Sequence, residues 1–213
     1  MREFKYVSRK EAAPHKGNII SLIKAVQKEV KPYFTFRFDF IGSSSRNMIT
    51  CEVKGNIGFD FDLNIEPNVP EGKYSPEFIR KVIFKAFQKH MRQFGYSKIE
   101  NSKSVITLKA VDKSKSKIEH SCDIAIVRHC NDGRQKYIRY NKGNNPYFSW
   151  EFRDKSYYIG DKLQWIEKNN YKPLLRERYL FYKGNNNNPD KHSRTLFAET
   201  VNNIYNEYRY LNR

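Results

Sequence analysis

The sequence predicts an α+β protein: a mixed, largely antiparallel sheet with helices packed on one side, followed by a short helical C-terminal part. Three observations carry this. Apolar residues alternate with period two in several segments between Tyr33 and Phe152. They recur at helical spacing in two segments placed among those strands, and from about Ile159 the pattern is helical throughout. A chain of 213 residues can also bury a core without disulfides or a structural metal. The expected division is a core over residues 1–155 and a helical extension over 156–213.

The elements follow in chain order. Between Ala13 and Val30, Ile19, Ile20, Ile23, Val26 and Val30 share one stripe while Lys24, Lys28 and Glu29 lie elsewhere, and Pro32 stops the helix. Tyr33–Ile41 then alternates, with Phe34, Phe36, Phe38 and Phe40 on one face and Thr35, Arg37 and Asp39 on the other. Gly42 and the serines after it break that strand. An extended stretch over Met48–Lys54, a turn at Gly55-Asn56 and a strand over Ile57–Ile65 read as a hairpin. Glu77–Phe94 reads as a helix with a broad apolar face (Phe78, Ile79, Val82, Ile83, Ala86, Phe87, Phe94), and Pro76 suits its start. Strands are expected at Val105–Val111, Ile118–Val127, Lys136–Tyr140 and Tyr147–Phe152. Helices are expected at Lys162–Lys168, Pro173–Tyr182 and Arg194–Tyr210, the last two joined by a turn-forming loop from Gly184 to Pro189.

Charge narrows the function. Forty Lys and Arg against 23 Asp and Glu leave +17, which suits a polyanion or phosphorylated ligand and argues against a cationic substrate. An aromatic content of 15% excludes a disordered basic tail. No apolar run approaches membrane-spanning length, the first residues lack a signal-peptide core, and three cysteines are an odd number for a disulfide framework. A cytoplasmic protein without a membrane partner is expected.

The segment with chemistry in it is FIGSSSRNMITCEVKGNIGFDFDLNI. Asp60 and Asp62 are two apart in a strand, so both carboxylates share a face while Phe59, Phe61 and Leu63 take the other. Two like charges side by side cost free energy unless a cation lies between them, and magnesium takes one or two carboxylates plus phosphate oxygens. Gly42-Ser43, followed by Ser44, Ser45 and Arg46, forms a turn at a strand end, where backbone N–H groups and a hydroxyl can hold phosphates. Asp123 interrupts the apolar strand HSCDIAIVRH, where an unpaired buried carboxylate is costly. Beside Asp60 and Asp62 it would complete a two-metal site.

This ordered set, Gly42-Ser43, Asp60-Phe61-Asp62 and Asp123, resembles the nucleotidyltransferase superfamily typified by DNA polymerase beta. The wording is closest to the branch of oligoadenylate synthases, cyclic GMP-AMP synthase and their bacterial relatives. Gly42-Ser43-Ser44-Ser45-Arg46 is similar to the G-S-x-x-R turn of that branch, with Asn47 where a Gly often follows. Phe59–Leu63 and Cys122–Ile126 resemble its two acidic strands, and the likeness spans roughly Gly17 to Val127. It implies a nucleotidyltransferase fold, with residues 1–155 as the catalytic core. It also implies nucleotide binding by Gly42, Ser43, Ser44 and Arg46, where Ser43 and the Gly42 backbone hold the β- and γ-phosphates. Asp60 and Asp62 would ligate two magnesium (or manganese) ions, and Asp123 the ion that activates the acceptor hydroxyl. The implied reaction moves a nucleoside monophosphate from an NTP to an acceptor hydroxyl of RNA, a nucleotide or a protein, releasing pyrophosphate. The implied partners are the NTP and RNA or tRNA. The alternative is a non-catalytic, basic RNA- or DNA-binding module on the same fold.

Other clusters have plainer readings. His120, Cys122, His129 and Cys130 are better placed as strand residues than as a zinc site, since alternation sets His129 apart from the other three. Lys113, Lys115 and Lys117 read as a solvated turn. Arg176, Arg178, Lys183, Lys191, His192 and Arg194, interleaved with Tyr179, Phe181 and Tyr182, suit either single-stranded nucleic acid or a packed helix with a wet basic face. Tyr157, Tyr158 and Trp165 are candidates for stacking on a base, with core packing as the alternative.

Overall fold

The computed structural model describes residues 2–153, 159–188 and 190–210. They fall into two compact units, one made of Tyr6–Cys51 and Gly55–Arg153, the other of Met1–Lys5, Glu52–Lys54 and Asp154–Arg213. Among the described residues no helix is long and apolar enough to cross a membrane.

The elements up to Arg153 run as follows. Helix α1 spans Arg9–Val30 and begins one turn before the expected start. Ser8 caps it, its hydroxyl accepting from the Glu11 N–H at 3.1 Å, and the helix runs on through Pro14, which lacks the N–H for one backbone bond. Strand β2 (Thr35–Ile41) leads into a one-turn helix, α2 (Gly42–Arg46), where a simple turn was expected. The short β3 (Thr50–Glu52) pairs with β1 (Phe4–Tyr6), and β4 spans Ile57–Asn68. The expected hairpin between the Met48–Lys54 stretch and the strand at Ile57 therefore does not form. Helix α3 (Pro76–His90), capped by Ser75, tightens into a 3-10 turn at Met91–Phe94. Then come β5 (Lys98–Asn101), β6 (Ile106–Asp112), β7 (Lys117–His129), β8 (Gln135–Asn141) and β9 (Tyr147–Phe152).

The main sheet has the order β2-β4-β7-β6-β5, with β8 added to the end of β7 and β9 to β8. The β4–β7 pair is parallel and the other pairs are antiparallel. Gly58 permits the central pairing, because a Cβ there would lie 1.8 Å from the Glu119 carbonyl oxygen. One face of this sheet is dry. Phe59, Phe61, Leu63 and Ile65 of β4, Leu108 of β6, and Cys122, Ile124 and Ile126 of β7 share a core with Leu22, Ile23 and Val26 of α1 and Ile83 and Phe87 of α3. Period-two strands and two amphipathic helices bury their apolar sides against each other, leaving the polar side of β4 and β7 for other use.

Two polar side chains lie within this core. Arg80 of α3 is 1% exposed, and its four hydrogen bonds run to Asn101 Oδ1 (2.8 Å) and the carbonyls of Ile138 (3.0 Å), Ser102 (2.6 Å) and Val105 (2.8 Å). One guanidinium so joins α3, the β5–β6 loop and β8, and burial pulls its pKa down to about 10. His120, 5% exposed, stands among Phe59, Phe61 and Tyr96 with its ring centroid 4.2 Å from that of His15. Both its ring nitrogens lack a hydrogen-bond partner, as does the Tyr96 hydroxyl.

Burial, and then the neighbouring His15, pull the His120 pKa down to about 4. A depressed histidine contributes stability above its unfolded pKa of about 6.5, and that contribution is lost as pH falls toward 4. His120→Phe, which keeps a ring among rings, is expected to remove on the order of 2 kcal/mol of acid destabilisation. Urea unfolding at pH 7 and pH 4.5 measures it. A variant whose stability falls with acid as steeply as the wild type rejects the assignment.

The smaller unit carries α4 (Gly160–Lys168), α5 (Lys172–Asn185) and α6 (Ser193–Tyr208). Gly184 and Asn185 belong to α5 and not to the expected loop. Trp165 stacks on Tyr171 at 5.6 Å and meets Tyr205 edge-on at 5.3 Å, so it takes the packed role; Tyr157 and Tyr158 lie outside the described residues. Much of the basic cluster is engaged within the unit. Arg178 pairs with Glu207, Lys191 with Glu199 at 2.6 Å, and Lys183 lies over the Phe4 and Tyr179 rings.

Candidate active site

The open face of the sheet is set by strand register. On β4, Asp60, Asp62, Asn64 and Glu66 alternate with the buried apolar residues. The parallel pairing puts Asp62 opposite Asp123 and Asp60 opposite Ser121. On the far side of β7, Asp123 is opposite Thr107 of β6, and Thr107 is opposite Glu100 of β5. The three carboxylates singled out in the sequence thus occupy one patch on two central strands.

Their charges interact. Burial pushes the Asp62 pKa up to about 6, and the charges of Asp123 and Asp60 push the same way, while Arg46 and Arg153 oppose them. Burial also raises the Asp123 carboxyl, against the hydrogen bond from the Thr107 hydroxyl at 2.6 Å and the charge of Lys109. Asp60 is exposed and Asp62 half-buried.

The Gly42–Arg46 turn closes one side. Gly42 has φ +61°, and a Cβ there would lie 2.8 Å from Asp62 Oδ2, so both backbone conformation and space call for glycine. Ser44 is buried, and its hydroxyl accepts the Asp62 backbone N–H at 2.9 Å. This bond fastens the turn to β4, a role that sequence reasoning did not assign. The Ser45 hydroxyl donates to the Gly42 carbonyl at 3.0 Å, and the Met48 N–H to the Ser43 carbonyl at 3.0 Å. Asn47 ends the turn at φ 58°, ψ 43°, the left-handed conformation that asparagine tolerates better than most residues. Ser43 and Arg46 are half-buried on this turn, and the charge of Arg46 reaches Asp62.

The donor set fits a hard divalent cation: oxygen only, on one face, and mutually repelling. Among the described residues, no group of three or more His, Cys, Asp or Glu side chains is arranged to hold a metal ion. Magnesium in general takes one or two carboxylates and completes its shell with water and substrate phosphate. The histidine and cysteine group has separate fates. His120 and Cys122 face the core, His129 pairs with Glu66 at 2.8 Å, and Cys130 lies in the turn after β7.

Comparison with solved structures identifies the architecture. Vibrio cholerae DncV in its 3'-deoxy GTP bound form matches with a TM-score of 0.61 at 16% identity, over 90% of this chain and 51% of that one. The chain has the nucleotidyltransferase fold. The 3'-deoxy ATP bound form of DncV matches with a TM-score of 0.60 at 17% identity, over 94% and 53% of the two chains. The form described as a cyclic AMP-GMP synthase, a prokaryotic cGAS homolog, matches at 0.58 and 16% identity, over 91% and 56%. The nucleotidyltransferase fold of this chain therefore spans about half the length of the DncV chains it matches. No protein-family model matches the sequence, and no curated protein matches it.

Sequence reasoning missed Thr107 and Arg80. Thr107 becomes visible only once β6 is set beside β7. Arg80 did carry a signal, since it falls three and seven residues before Ile83 and Phe87 on the buried stripe of α3.

Proposed function

We propose that the protein is a magnesium-dependent nucleotidyltransferase, which moves a nucleoside monophosphate from an NTP to an acceptor hydroxyl and releases pyrophosphate. The observation that carries this is the pairing of Asp62 with Asp123 across two parallel central strands, on the same face as Asp60 and beside the Gly42–Arg46 turn. Support comes from the fold, which matches structures described with 3'-deoxy ATP and 3'-deoxy GTP bound.

In this reading Asp60 and Asp62 would hold two divalent cations, and Asp123 the one that activates the acceptor hydroxyl. Bound there, the cations would neutralise charge on the attacking and leaving oxygens of an in-line displacement. The Gly42 backbone and Ser43 hold the β- and γ-phosphates, and Arg46 adds positive charge on the same turn. Asp123 receives the proton of the acceptor hydroxyl as it attacks the α-phosphorus. The basic character of the chain, +17 overall, raises the local concentration of NTP and of an RNA or nucleotide acceptor.

The test is label transfer from each α-labelled NTP, with magnesium or manganese, to RNA, nucleotide and protein acceptors. Transfer that needs the cation and disappears in Asp60→Ala and Asp62→Ala is expected. If there is no transfer, and salt-sensitive RNA binding survives Asp→Asn changes at all three positions, the protein is a binding module instead.

A further inference from the structure

We propose that Thr107 is the positioning residue of the third carboxylate: its hydroxyl fixes Asp123 in the orientation in which it receives the divalent cation and the acceptor. The inference rests on the nucleotidyltransferase reading and adds a residue of a strand that the sequence motifs do not touch. It starts from a conflict built into the sheet. Parallel pairing sets Asp62 directly opposite Asp123, and two carboxylates so placed reduce their repulsion by rotating apart. A free Asp123 side chain would lose the shared geometry before any cation arrived.

Thr107 opposes that rotation from the other flank. It faces Asp123 in the antiparallel β6–β7 register, and its Oγ1 donates to Asp123 Oδ1 at 2.6 Å. Among the described residues it is the one side chain hydrogen-bonded to Asp123. A β-branched side chain on a strand has few rotamers, so the hydroxyl is aimed in advance at little entropic cost. Hydrogen bonding to the charged carboxylate also favours the form that binds a cation.

The ammonium whose charge acts on Asp123, that of Lys109, is committed elsewhere. Lys109 reaches Glu100 at 2.8 Å, and Lys98 reaches the same carboxylate at 2.9 Å. This group moderates the field around Asp123 without bonding to it, and orientation is left to the threonine. A geometric constraint of this kind is typically worth a factor of about ten to a hundred in metal affinity or turnover.

The experiment compares Thr107→Val, which keeps the shape and removes the hydroxyl, with Thr107→Ser, which restores it. Manganese affinity is read by titration with EPR detection in the presence of a non-hydrolysable ATP analogue, and kcat and KM are read from label transfer. Thr107→Val is expected to weaken manganese binding roughly tenfold and lower kcat roughly ten- to hundredfold, with the KM for NTP within about twofold of wild type. Thr107→Ser is expected to recover most of both losses. If Thr107→Val destabilises the fold, Thr107→Ala paired with Thr107→Ser gives the same comparison. Wild-type manganese affinity in the valine variant overturns the proposal, and so does a serine variant as impaired as valine. A wild type that binds manganese but transfers nothing removes the enzymatic reading and leaves the metal titration to decide Thr107. A wild type that binds no manganese removes both.

Discussion

Asp62→Asn is expected to melt higher than the wild type and to lose nearly all of the proposed transfer activity. Asp62 is a half-buried carboxyl raised to about 6 by burial and by Asp123 and Asp60. A group whose folded pKa is raised contributes stability at low pH and loses it as pH climbs through the folded value. At pH 8 without metal, Asp62 is therefore charged at a cost of about 3 kcal/mol at most. Asparagine keeps the shape and removes that cost. For a chain of this size the gain corresponds to roughly 6 to 10 °C in Tm at pH 8, shrinking toward nothing near pH 4. On the proposed reading, in which Asp62 ligates a cation, transfer should fall about a thousandfold, the loss of several kcal/mol of transition-state stabilisation. Scanning calorimetry of the metal-free protein at pH 8 and pH 5 gives the first result. A variant that melts lower than wild type at pH 8 would mean that the carboxylate is held by partners rather than strained.

The second large effect is expected at Arg80. Removal of its guanidinium takes a donor from the Asn101 side chain and from the carbonyls of Ile138, Ser102 and Val105, of which the Val105 carbonyl keeps the Ser102 N–H. Arg80→Met fills much of the space but supplies no donors, and is expected to cost about 3–5 kcal/mol, a third or more of the stability of a typical domain. Arg80→Lys should be almost as damaging, because one ammonium cannot span the four acceptors that the planar fork reaches. Urea denaturation with a constant m-value is the measure. A loss under about 1 kcal/mol for Arg80→Met would show that water replaces the guanidinium.

The pattern of these residues explains which parts of the structure are legible in the sequence. The long strands and α1 and α3 announce themselves because each buries one face, as Phe34 and Phe36 or Ile79, Ile83 and Phe87 show. β1 and β5, Phe4–Tyr6 and Lys98–Asn101, are too short and too charged to leave a period. Partner choice is the larger loss. The stretch before Gly55 looks like the hairpin mate of β4, yet β4 is claimed on both edges by β2 and β7. Local spacing cannot reveal this, because the pairing depends on Gly58 lying against Glu119 on a distant segment. For the candidate site, Asp60, Asp62 and the Gly42 turn are legible as neighbours in sequence, and the sheet adds Asp123 opposite Asp62. The Ser44 bond to Asp62 and the Thr107 bond to Asp123 are contacts between elements, which composition and period do not encode.

The parallel pairing of β4 with β7 also has a meaning for how the molecule comes into being. A parallel neighbour cannot be reached by a tight turn, so the chain must travel through α3, β5 and β6 before Asp123 can meet Asp62. That loop of about sixty residues carries a closure entropy that only the finished core repays. A nascent or truncated chain ending before β7 has Asp60 and Asp62 but no patch, so the carboxylates are brought together only in molecules whose central sheet is complete. Chemistry at this site would then be self-proofreading, withheld from every partly folded copy of the protein.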